Sequence, residues 1–382
     1  MNAILRGLKW YELFSRYAGD LYPGRYTKEY CIELSLMAEE VLALAKEKNS
    51  LIVAHNYLYP ELQEIADMTG DSLALSLFVK ESAAKRVDFG GVFFMGETAK
   101  IIAGNDKRVF VQGDPEVLGC SLVSGTDPEW IKRWRRVNPG GIVVTYINSS
   151  AEVKALSDFI STSRNTDKIV VKAARENPGR KILIAPDKFL AYVMKARAVE
   201  QGVLAELIDI YDHSFNGQNA SCYVHEEIGR FGLEEALEEN PEAELLIHPE
   251  CGCASSCLFK ASAGKIEHQS SYFLSTDQMI SHAKSSPSKS FVVATEKGMV
   301  YRLRKEVPEK RFIPISSGAE CKFMKANSLE GLLSSLREDR FEIIISDTER
   351  TGKVNREKGT VYVSAETAKM AKIAIKRMLQ VK

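Results

Sequence analysis

The chain has 382 residues, of which 45% are hydrophobic and 27% charged, a balance typical of a globular protein that buries a sizeable core. Its 51 lysines and arginines equal its 51 aspartates and glutamates, so no overall basic field argues for a nucleic-acid partner. No apolar run approaches the roughly 18 residues of a membrane span, and charges interrupt the N-terminal apolar stretch. We therefore expect no membrane partner, no signal peptide and a cytoplasmic location.

The first predicted elements are an irregular N-terminal segment and a helix. Residues 1–26 are rich in aromatic side chains without a clear period, and we expect them to be irregular. Thr27 is a predicted N-cap, and the apolar residues between it and Lys48 recur mostly at helical spacing. This spacing predicts an amphipathic helix.

A buried strand and the polar residues that follow it come next. The apolar run at 51–54 predicts a parallel strand, and Pro60 opens a helix at a position where its missing N–H costs nothing. Between them lie His55, Asn56 and Tyr57. Because open α/β sheets bind ligands at the carboxyl ends of their strands, these side chains are candidate site residues.

The same pattern recurs along the chain. Nine predicted strands fall into three sets. The strands of the first two sets end in polar clusters: VAHNY (53–57), VTYIN (144–148) and LIHPE (246–250), then VFFMGETAK (92–100), ILIAPDKFL (182–190) and FVVATEKGM (291–299). The strands of the third set each precede a cysteine: RVFVQGD (108–114), AELIDIYD (205–212) and KRFIPIS (310–316). Strands that alternate with helices predict parallel pairing with right-handed crossovers. The sequence therefore predicts an α/β fold of three pseudo-threefold-related, three-layer α/β/α domains, at 1–122 (joined by 325–382), 123–225 and 226–324.

One cysteine follows the third strand of each predicted unit. Cys120, Cys222 and Cys321 are 102 residues (120 to 222) and 99 residues (222 to 321) apart. Three converging thiolates can hold zinc or three irons of a [4Fe–4S] cluster, and they can also be plain buried thiols. Structural zinc usually shows closely spaced cysteine pairs, so one cysteine per domain favours a bulky cluster at an interface, with one iron left open as a Lewis acid.

Other spacings agree with a triplicated unit. Hydroxyl residues follow the first strand ends at offsets of 17, 17 and 28 residues: Ser72 after His55, Ser163 after Tyr146, and Thr276 after His248. The longer third offset contains an inserted loop with Cys251, Cys253 and Cys257. The C-x-C-x3-C spacing of this loop matches neither zinc pairs nor a ferredoxin run, and a redox-active thiol pair or a small-residue turn explains it equally well.

Histidine and carboxylate side chains near the strand ends suit acid–base chemistry. His55, His225 and His248 are three of the six histidines, and each lies at a strand end or close to a cysteine. Glu250 follows His248 by two residues, so in extended backbone both point to the same side and Glu250 is a candidate general base. Ser163 lies at a predicted helix start, where it is either a phosphate contact or an N-cap.

The C-terminal region carries three further predicted elements. Residues 329–336 predict a helix, 341–346 a strand and 365–379 a last helix with a basic end. Basic residues suit a helix C-terminus, so this end is interpreted as a solvated face.

The motifs between residues 51 and 324 resemble those of the quinolinate synthase family. They occur in the order AHNY, ADMTGDSLALS, GVFFMGETAKII, VVTYINSSAEVKA, TSRN, PDKFLA, HPEC and ATEKGM. The resemblance implies three α/β domains around a central [4Fe–4S] cluster, ligated by Cys120, Cys222 and Cys321. It implies the condensation of iminoaspartate with dihydroxyacetone phosphate to quinolinate in NAD biosynthesis, and hence a functional link to an aspartate-oxidising enzyme.

The resemblance also implies site residues. The substrate contacts are His55, Tyr57, Ser72, Tyr146, Asn148, Ser163, His225, His248, Glu250 and Thr276, of which Glu250, His248, Tyr57 and His55 are the predicted catalytic residues. The chain departs from the family at Thr166, where a small residue is usual, with Arg164 at the variable place before Asn165. It departs again at Leu274, where a glycine is usual. Two alternatives stay open: an iron–sulfur sensor that binds a partner, and a cluster-dependent dehydratase for another hydroxy acid.

Overall fold

The structure is a computed structural model, and it describes residues 2–231, 233–250 and 271–381. Its helices are α1 (Ala3–Ala18), α2 (Lys28–Glu47), α3 (Pro60–Ile65), α4 (Ser72–Glu81), α5 (Phe93–Ala103), α6 (Ser121–Ser124), α7 (Pro128–Val137), α8 (Ala151–Ala155), α9 (Thr166–Glu176), α10 (Lys188–Glu200), α11 (Tyr223–Phe231), α12 (Leu233–Glu239), α13 (Thr276–Ser285), α14 (Gly298–Glu306), α15 (Lys322–Lys325), α16 (Leu329–Glu338) and α17 (Ala365–Leu379). Its strands are β1 (Ser50–His55), β2 (Met68–Gly70), β3 (Arg86–Gly90), β4 (Arg108–Val111), β5 (Ile142–Tyr146), β6 (Phe159–Ser161), β7 (Ile182–Ala185), β8 (Ile208–Ile210), β9 (Ser214–Phe215), β10 (Gln218–Asn219), β11 (Glu244–Ile247), β12 (Ser271–Phe273), β13 (Ser290–Ala294), β14 (Arg311–Pro314), β15 (Glu342–Ser346), β16 (Val354–Asn355) and β17 (Thr360–Ser364).

Most strands belong to three sheets whose main pairings are parallel. Their strand orders are β16-β17-β15-β4-β3-β1-β2, β6-β5-β7-β8 and β12-β11-β13-β14, and β9 and β10 form a separate antiparallel hairpin. In each sheet a short edge strand pairs with one side of the first strand, and two later strands follow in parallel on the other side. The predicted α/β class is confirmed. Helices cover these sheets, so the strands are buried and predominantly apolar, as parallel sheets require.

The predicted irregular N-terminus is wrong, because residues 3–18 form α1. The side chain of Asn2 accepts a hydrogen bond from the Ile4 N–H at the start of this helix. Trp10, Phe14 and Ala18 recur every four residues and are buried, which is a helical period that the exposed apolar residues around them obscured. The predicted helix that follows is confirmed as α2.

The predicted strand at 92–100 is also wrong, because this segment forms α5. It is buried on nearly all sides, and a short run of buried residues shows no period that separates a helix from a strand. The strand of this unit is β3, which carries Arg86 and Asp88 as a buried ion pair, with Arg86 Nε 2.8 Å from Asp88 Oδ2. These two charges interrupted the apolar run that would have indicated a strand.

The C-terminal region adds strands to the first sheet. The predicted helix, strand and last helix are confirmed as α16, β15 and α17, and β15 pairs antiparallel with β4. The sequence prediction missed β16 and β17, of which β17 pairs parallel with β15. Helix α17 packs against α8 and β6 of the second sheet, so the C-terminal region contacts two sheets.

Asp339 connects the N-terminal helices, the first sheet and the C-terminal region. It accepts a hydrogen bond from Lys48 Nζ at 2.7 Å and a second one from Arg86 Nη1. Partial burial raises the pKa of this carboxyl, but the bonds from Lys48 and Arg86 outweigh the burial and lower the pKa below its ordinary value. The folded state therefore stabilises the ionised form.

We expect Asp339→Asn to lower the free energy of unfolding at pH 7 by about 1 kcal/mol, because this partly exposed carboxylate is screened by water. Asparagine adopts the left-handed backbone at this position (φ 53°) as readily as aspartate. Since the folded-state pKa is depressed, the wild-type advantage is present above about pH 5 and disappears as the pH falls through the folded pKa. Urea unfolding at several pH values measures this difference, with exposed Asp347→Asn as the control. An advantage that persists at about pH 2 contradicts the assignment.

None of the described helices has both the length and the apolar character that crossing a membrane requires.

Candidate active site

One cavity of about 250 Å³ lies where the carboxyl ends of the first strands of the three sheets meet. All thirteen residues that the family resemblance implies for the site line it, whereas the strand-end candidate Asn56 is buried beside it, where it donates to Thr276 Oγ1, and does not line it. The thirteen lining residues are His55, Tyr57, Ser72, Cys120, Tyr146, Asn148, Ser163, Cys222, His225, His248, Glu250, Thr276 and Cys321. Side chains that are up to 266 positions apart in the sequence (55 to 321) are thus brought to one place.

A pair of cavity residues two positions apart lies at the end of each first strand or directly after it. The pairs are His55 and Tyr57, Tyr146 and Asn148, and His248 and Glu250. The second member of each pair lies in the turn or bend that follows the strand, so both members reach the cavity through the local turn and not through the extended backbone expected for His248 and Glu250.

The short edge strands, which the sequence prediction missed, bring the hydroxyl residues to the cavity. Ser72 and Thr276 open α4 and α13 directly after β2 and β12. Ser163 lies in the turn between β6 and α9, three residues before the helix rather than in its first turn. These strands have only three residues each, too few to show a period in the sequence.

The three cysteines share one local structure, in which each directly precedes a helix. Cys120 precedes α6, Cys222 precedes α11 and Cys321 precedes α15, and backbone N–H groups of each helix donate to the sulfur. Burial raises the pKa of Cys120 to about 12 and also raises the pKa values of Cys222 and Cys321. Repulsion from the other thiolates adds to this shift at Cys120 and Cys222.

These thiols fit a metal group. They are free cysteines in one cavity, and a bound cation would offset the cost of ionising three thiols close together. A second group that could hold an ion is His225, His248 and Glu250, whose donor atoms lie within 4.8 Å of one another.

Glu250 is held by groups at the second and third strand ends and by His225 of α11. Asn148 Nδ2 donates to Glu250 Oε1 at 2.8 Å, and Oε2 lies 3.3 Å from His248 Nδ1 and 3.6 Å from His225 Nδ1. Burial raises the pKa of Glu250 to about 7, although hydrogen bonds from Asn148 and Tyr146 oppose this shift. A carboxyl that titrates near neutral pH can both accept and return a proton.

The cavity histidines are neutral at pH 7. Burial lowers the pKa of His55 to about 3 and that of His248 to about 4, and it lowers the pKa of His225 well below 6.5. The His225 and His248 rings stack with centroids 5.2 Å apart. Neutral imidazoles position other groups by hydrogen bonds, so Glu250 is the better candidate for proton transfer at this pH.

Thr295 is a site residue that the sequence prediction missed. Its hydroxyl lies 2.6 Å from the Tyr57 hydroxyl and 2.9 Å from His225 Nε2, so it joins two predicted site residues in one hydrogen-bonded chain. It is fully buried at the end of β13. The motif ATEKGM already marks the polar end of this strand in the sequence, so Thr295 could have been predicted as a site residue from it.

Glu296 is a second missed residue, and it lines the cavity. Glu296 Oε1 lies 3.0 Å from Lys325 Nζ in a pair that is almost fully buried. The same oxygen accepts from the Cys321 N–H at 3.4 Å, and Lys325 Nζ donates to the Tyr57 carbonyl at 2.5 Å. This ion pair therefore links the first strand end to the loop that carries the third cysteine.

The inserted loop with Cys251, Cys253 and Cys257 lies outside the described residues, so its predicted role stays open.

Comparison with known proteins confirms the resemblance. The family model "Quinolinate synthetase A protein" matches residues 39–380. A quinolinate synthase of Pyrobaculum aerophilum is 37% identical over 345 residues, which cover 90% of this chain and 99% of the relative. A quinolinate synthase of Thermus thermophilus is 40% identical over 321 residues (84% and 94%), and one of Mycolicibacterium paratuberculosis is 38% identical over 306 residues (80% and 82%). The chain belongs to the quinolinate synthetase A family of enzymes.

Proposed function

We propose that this enzyme condenses iminoaspartate with dihydroxyacetone phosphate to give quinolinate, phosphate and two water molecules in NAD biosynthesis. The observation that carries the proposal is that all thirteen residues implied by the family motifs line a single cavity. The names of the relatives agree with this activity. The cytoplasmic location and the link to an aspartate-oxidising enzyme stay predictions from the sequence.

We also propose that the three sheets are repeats of one unit, related by a pseudo-threefold axis through the cavity. The common strand order supports this arrangement, as do the residue pairs at the first strand ends and the cysteine before a helix in each unit. The proposed units are residues 1–122 with 325–382, 123–225 and 226–324.

In this proposal Cys120, Cys222 and Cys321 hold a [4Fe–4S] cluster. Three convergent free thiols in one buried cavity support it, because only a bound cation makes three adjacent thiolates favourable there. The N–H groups at the start of each following helix also favour negative charge on the sulfur. When bound, such a cluster with three protein ligands supplies a Lewis acid in the cavity.

The protein side chains have separate tasks in the reaction. Glu250 takes and returns protons, while Asn148 and Tyr146 hold its carboxylate in place. Tyr57, oriented by Thr295, donates to developing negative charge on the substrate. Most lining residues are buried, so these hydrogen bonds act at low dielectric once the substrates fill the cavity.

The remaining predicted contacts orient the substrates. Ser72, Ser163 and Thr276 supply hydroxyl groups near the starts of helices, where carboxylate or phosphate oxygens are favoured. His55 and His248, both neutral at pH 7, hold polar atoms of the substrate by hydrogen bonds.

We expect Thr295→Val to reduce turnover by about 10- to 100-fold, because the Tyr57 hydroxyl and His225 lose the group that orients them. Valine keeps the shape of the buried side chain, so the fold and the iron content should be unchanged. The matched control is Thr295→Ser, which restores the hydroxyl and should restore most of the turnover. Near wild-type turnover of the valine variant, or equal losses in the valine and serine variants, would contradict the orienting role of the hydroxyl.

The activity itself is tested with anaerobically purified, iron-loaded protein. Iminoaspartate and dihydroxyacetone phosphate should yield quinolinate and inorganic phosphate in a one-to-one ratio. A dehydratase for another hydroxy acid would release no phosphate, and an iron–sulfur sensor would form no product. Absence of quinolinate with an intact cluster would reject the proposed activity.

A further inference from the structure

Arg164 joins segments of all three sheets at the cavity. Its Nε donates to Ser275 Oγ at 2.8 Å, and its Nη2 lies 3.1 Å from Asp71 Oδ2 and 3.1 Å from Asp277 Oδ2. Asp71 follows edge strand β2, Arg164 follows β6, and Ser275 and Asp277 follow β12. One guanidinium therefore connects the three places from which the helices α4, α9 and α13 begin.

The ion pairs of Arg164 are accessible to water. Its side chain is 41% exposed, and those of Asp71 and Asp277 are 22% and 31% exposed. Ion pairs in contact with water contribute little net free energy, so an anion that enters the cavity can replace these carboxylates as the partner of the guanidinium. Arg164 and Asp71, which line the cavity and remain partly exposed, form what we call the cavity rim.

The charges of the cavity lining make such a replacement favourable. Among the described lining residues, Arg164 is the sole lysine or arginine, whereas Asp71, Glu250 and Glu296 are carboxyl groups. The histidines are neutral at pH 7. Both proposed substrates are anions, since iminoaspartate carries two carboxylates and dihydroxyacetone phosphate carries one phosphate monoester, and such charges need a positive partner when they leave water.

Local structure at the rim also favours an anion. Helices α4, α9 and α13 have 10, 11 and 10 residues, and their N-termini, which carry partial positive charge, lie next to the rim residues. Ser163 lines the cavity and is only 6% exposed, yet its hydroxyl has no hydrogen-bond partner in the part of the chain that the structure describes. An unpartnered hydroxyl beside a guanidinium is suited to bind an oxyanion.

We propose that Arg164 is a specificity-determining residue that binds an oxyanion of the substrate, a phosphate or a carboxylate, at the cavity rim. On binding, the guanidinium exchanges Asp71 and Asp277 for the substrate group. This inference rests on the proposed function, because it takes the substrates to be anions. The family resemblance assigns no role to this position.

The first test is steady-state kinetics of Arg164→Gln. Loss of a charge-assisted hydrogen bond should raise the half-saturating concentration of one substrate by about 10- to 100-fold while turnover at saturation changes only a few-fold. A rise for dihydroxyacetone phosphate identifies a phosphate site, and a rise for iminoaspartate identifies a carboxylate site. The control is Arg337→Gln, which removes another partly exposed arginine that pairs with Glu40 and does not line the cavity.

The second test separates binding from a merely structural clamp. Asp277→Asn keeps the hydrogen bond from Asn56 but removes a charge that competes for Arg164. If Arg164 binds the substrate, this variant should leave the half-saturating concentration unchanged or lower it. If Arg164 only clamps the three segments together, Asp277→Asn and Arg164→Gln should both lower the melting temperature and turnover, and the proposal is overturned.

Binding without turnover distinguishes a failure of this inference from a failure of the proposed function. Inorganic phosphate and malonate are titrated calorimetrically into the iron-loaded wild type and Arg164→Gln. Weaker binding of one anion by the variant supports the inference even if the wild type forms no quinolinate. Equal binding of both anions by the two proteins, together with unchanged half-saturating concentrations where quinolinate is formed, overturns the inference and leaves the proposed function standing.

Discussion

Replacing any one of Cys120, Cys222 and Cys321 with alanine is expected to abolish the iron–sulfur chromophore and quinolinate formation together. The three thiols line one cavity, and each precedes a helix whose N–H groups donate to its sulfur. A cluster with three protein ligands that loses one of them becomes exposed to loss of iron. Iron content, the visible spectrum and quinolinate formation are measured on the same anaerobic preparation.

The matched control for this series is Cys31→Ala, which removes a free, fully buried cysteine that does not line the cavity. It should keep the chromophore, with at most a loss of stability from the small cavity it creates. Alanine variants of Cys251, Cys253 and Cys257 should also keep a cluster. A cluster that survives loss of Cys222 but not loss of Cys253 would contradict the assignment of ligands.

Glu250→Gln is expected to reduce turnover by about 10² to 10⁴, the usual contribution of general acid–base catalysis. Glutamine keeps the shape of the side chain and its hydrogen bond with Asn148, but it cannot accept a proton. The variant should therefore fold, keep its iron and keep the wild-type half-saturating concentrations. Quinolinate formation and iron content are compared with those of Glu250→Asp, which keeps the carboxyl group.

Two other roles for Glu250 give different results. If the carboxylate only supports the local backbone, the glutamine variant should turn over at nearly the wild-type rate. If His225, His248 and Glu250 hold a separate ion, metal analysis of the wild type should find an additional metal that the glutamine variant lacks. Near wild-type turnover would remove Glu250 from the proton-transfer steps.

Much of the fold could be predicted because many of its strands are apolar along most of their length. Strands such as β5, β7 and β13 are buried, and a continuous apolar run with polar residues at its end marks them clearly. The prediction was wrong at α1 and α5 for opposite reasons: exposed apolar residues obscured the period of α1, and burial on nearly all sides removed the period of α5. Strand β3 was missed because Arg86 and Asp88 form a buried ion pair within it.

The site could be predicted only where its residues follow a strand or a regular spacing. The pairs at the first strand ends and the three cysteines obey such rules, so their places in the sequence were sufficient to find them. Thr295 and Glu296 lie at an equally visible strand end, but their role depends on contacts with Tyr57, His225 and Lys325. Contacts between distant segments leave no periodic signal in one sequence.

The sequence by itself determined the α/β class, the three cysteines at nearly equal separations, and the polar ends of the first strands, because backbone periodicity and spacing are local properties of the chain. Only the tertiary structure decided which side chains meet. It placed Asn148 against Glu250, joined Tyr57 to His225 through Thr295, and brought Arg164 between Asp71 and Asp277. Charge pairing and the pKa shifts of Glu250 and the histidines depend on distance and burial, and both arise only when the three sheets pack around one cavity.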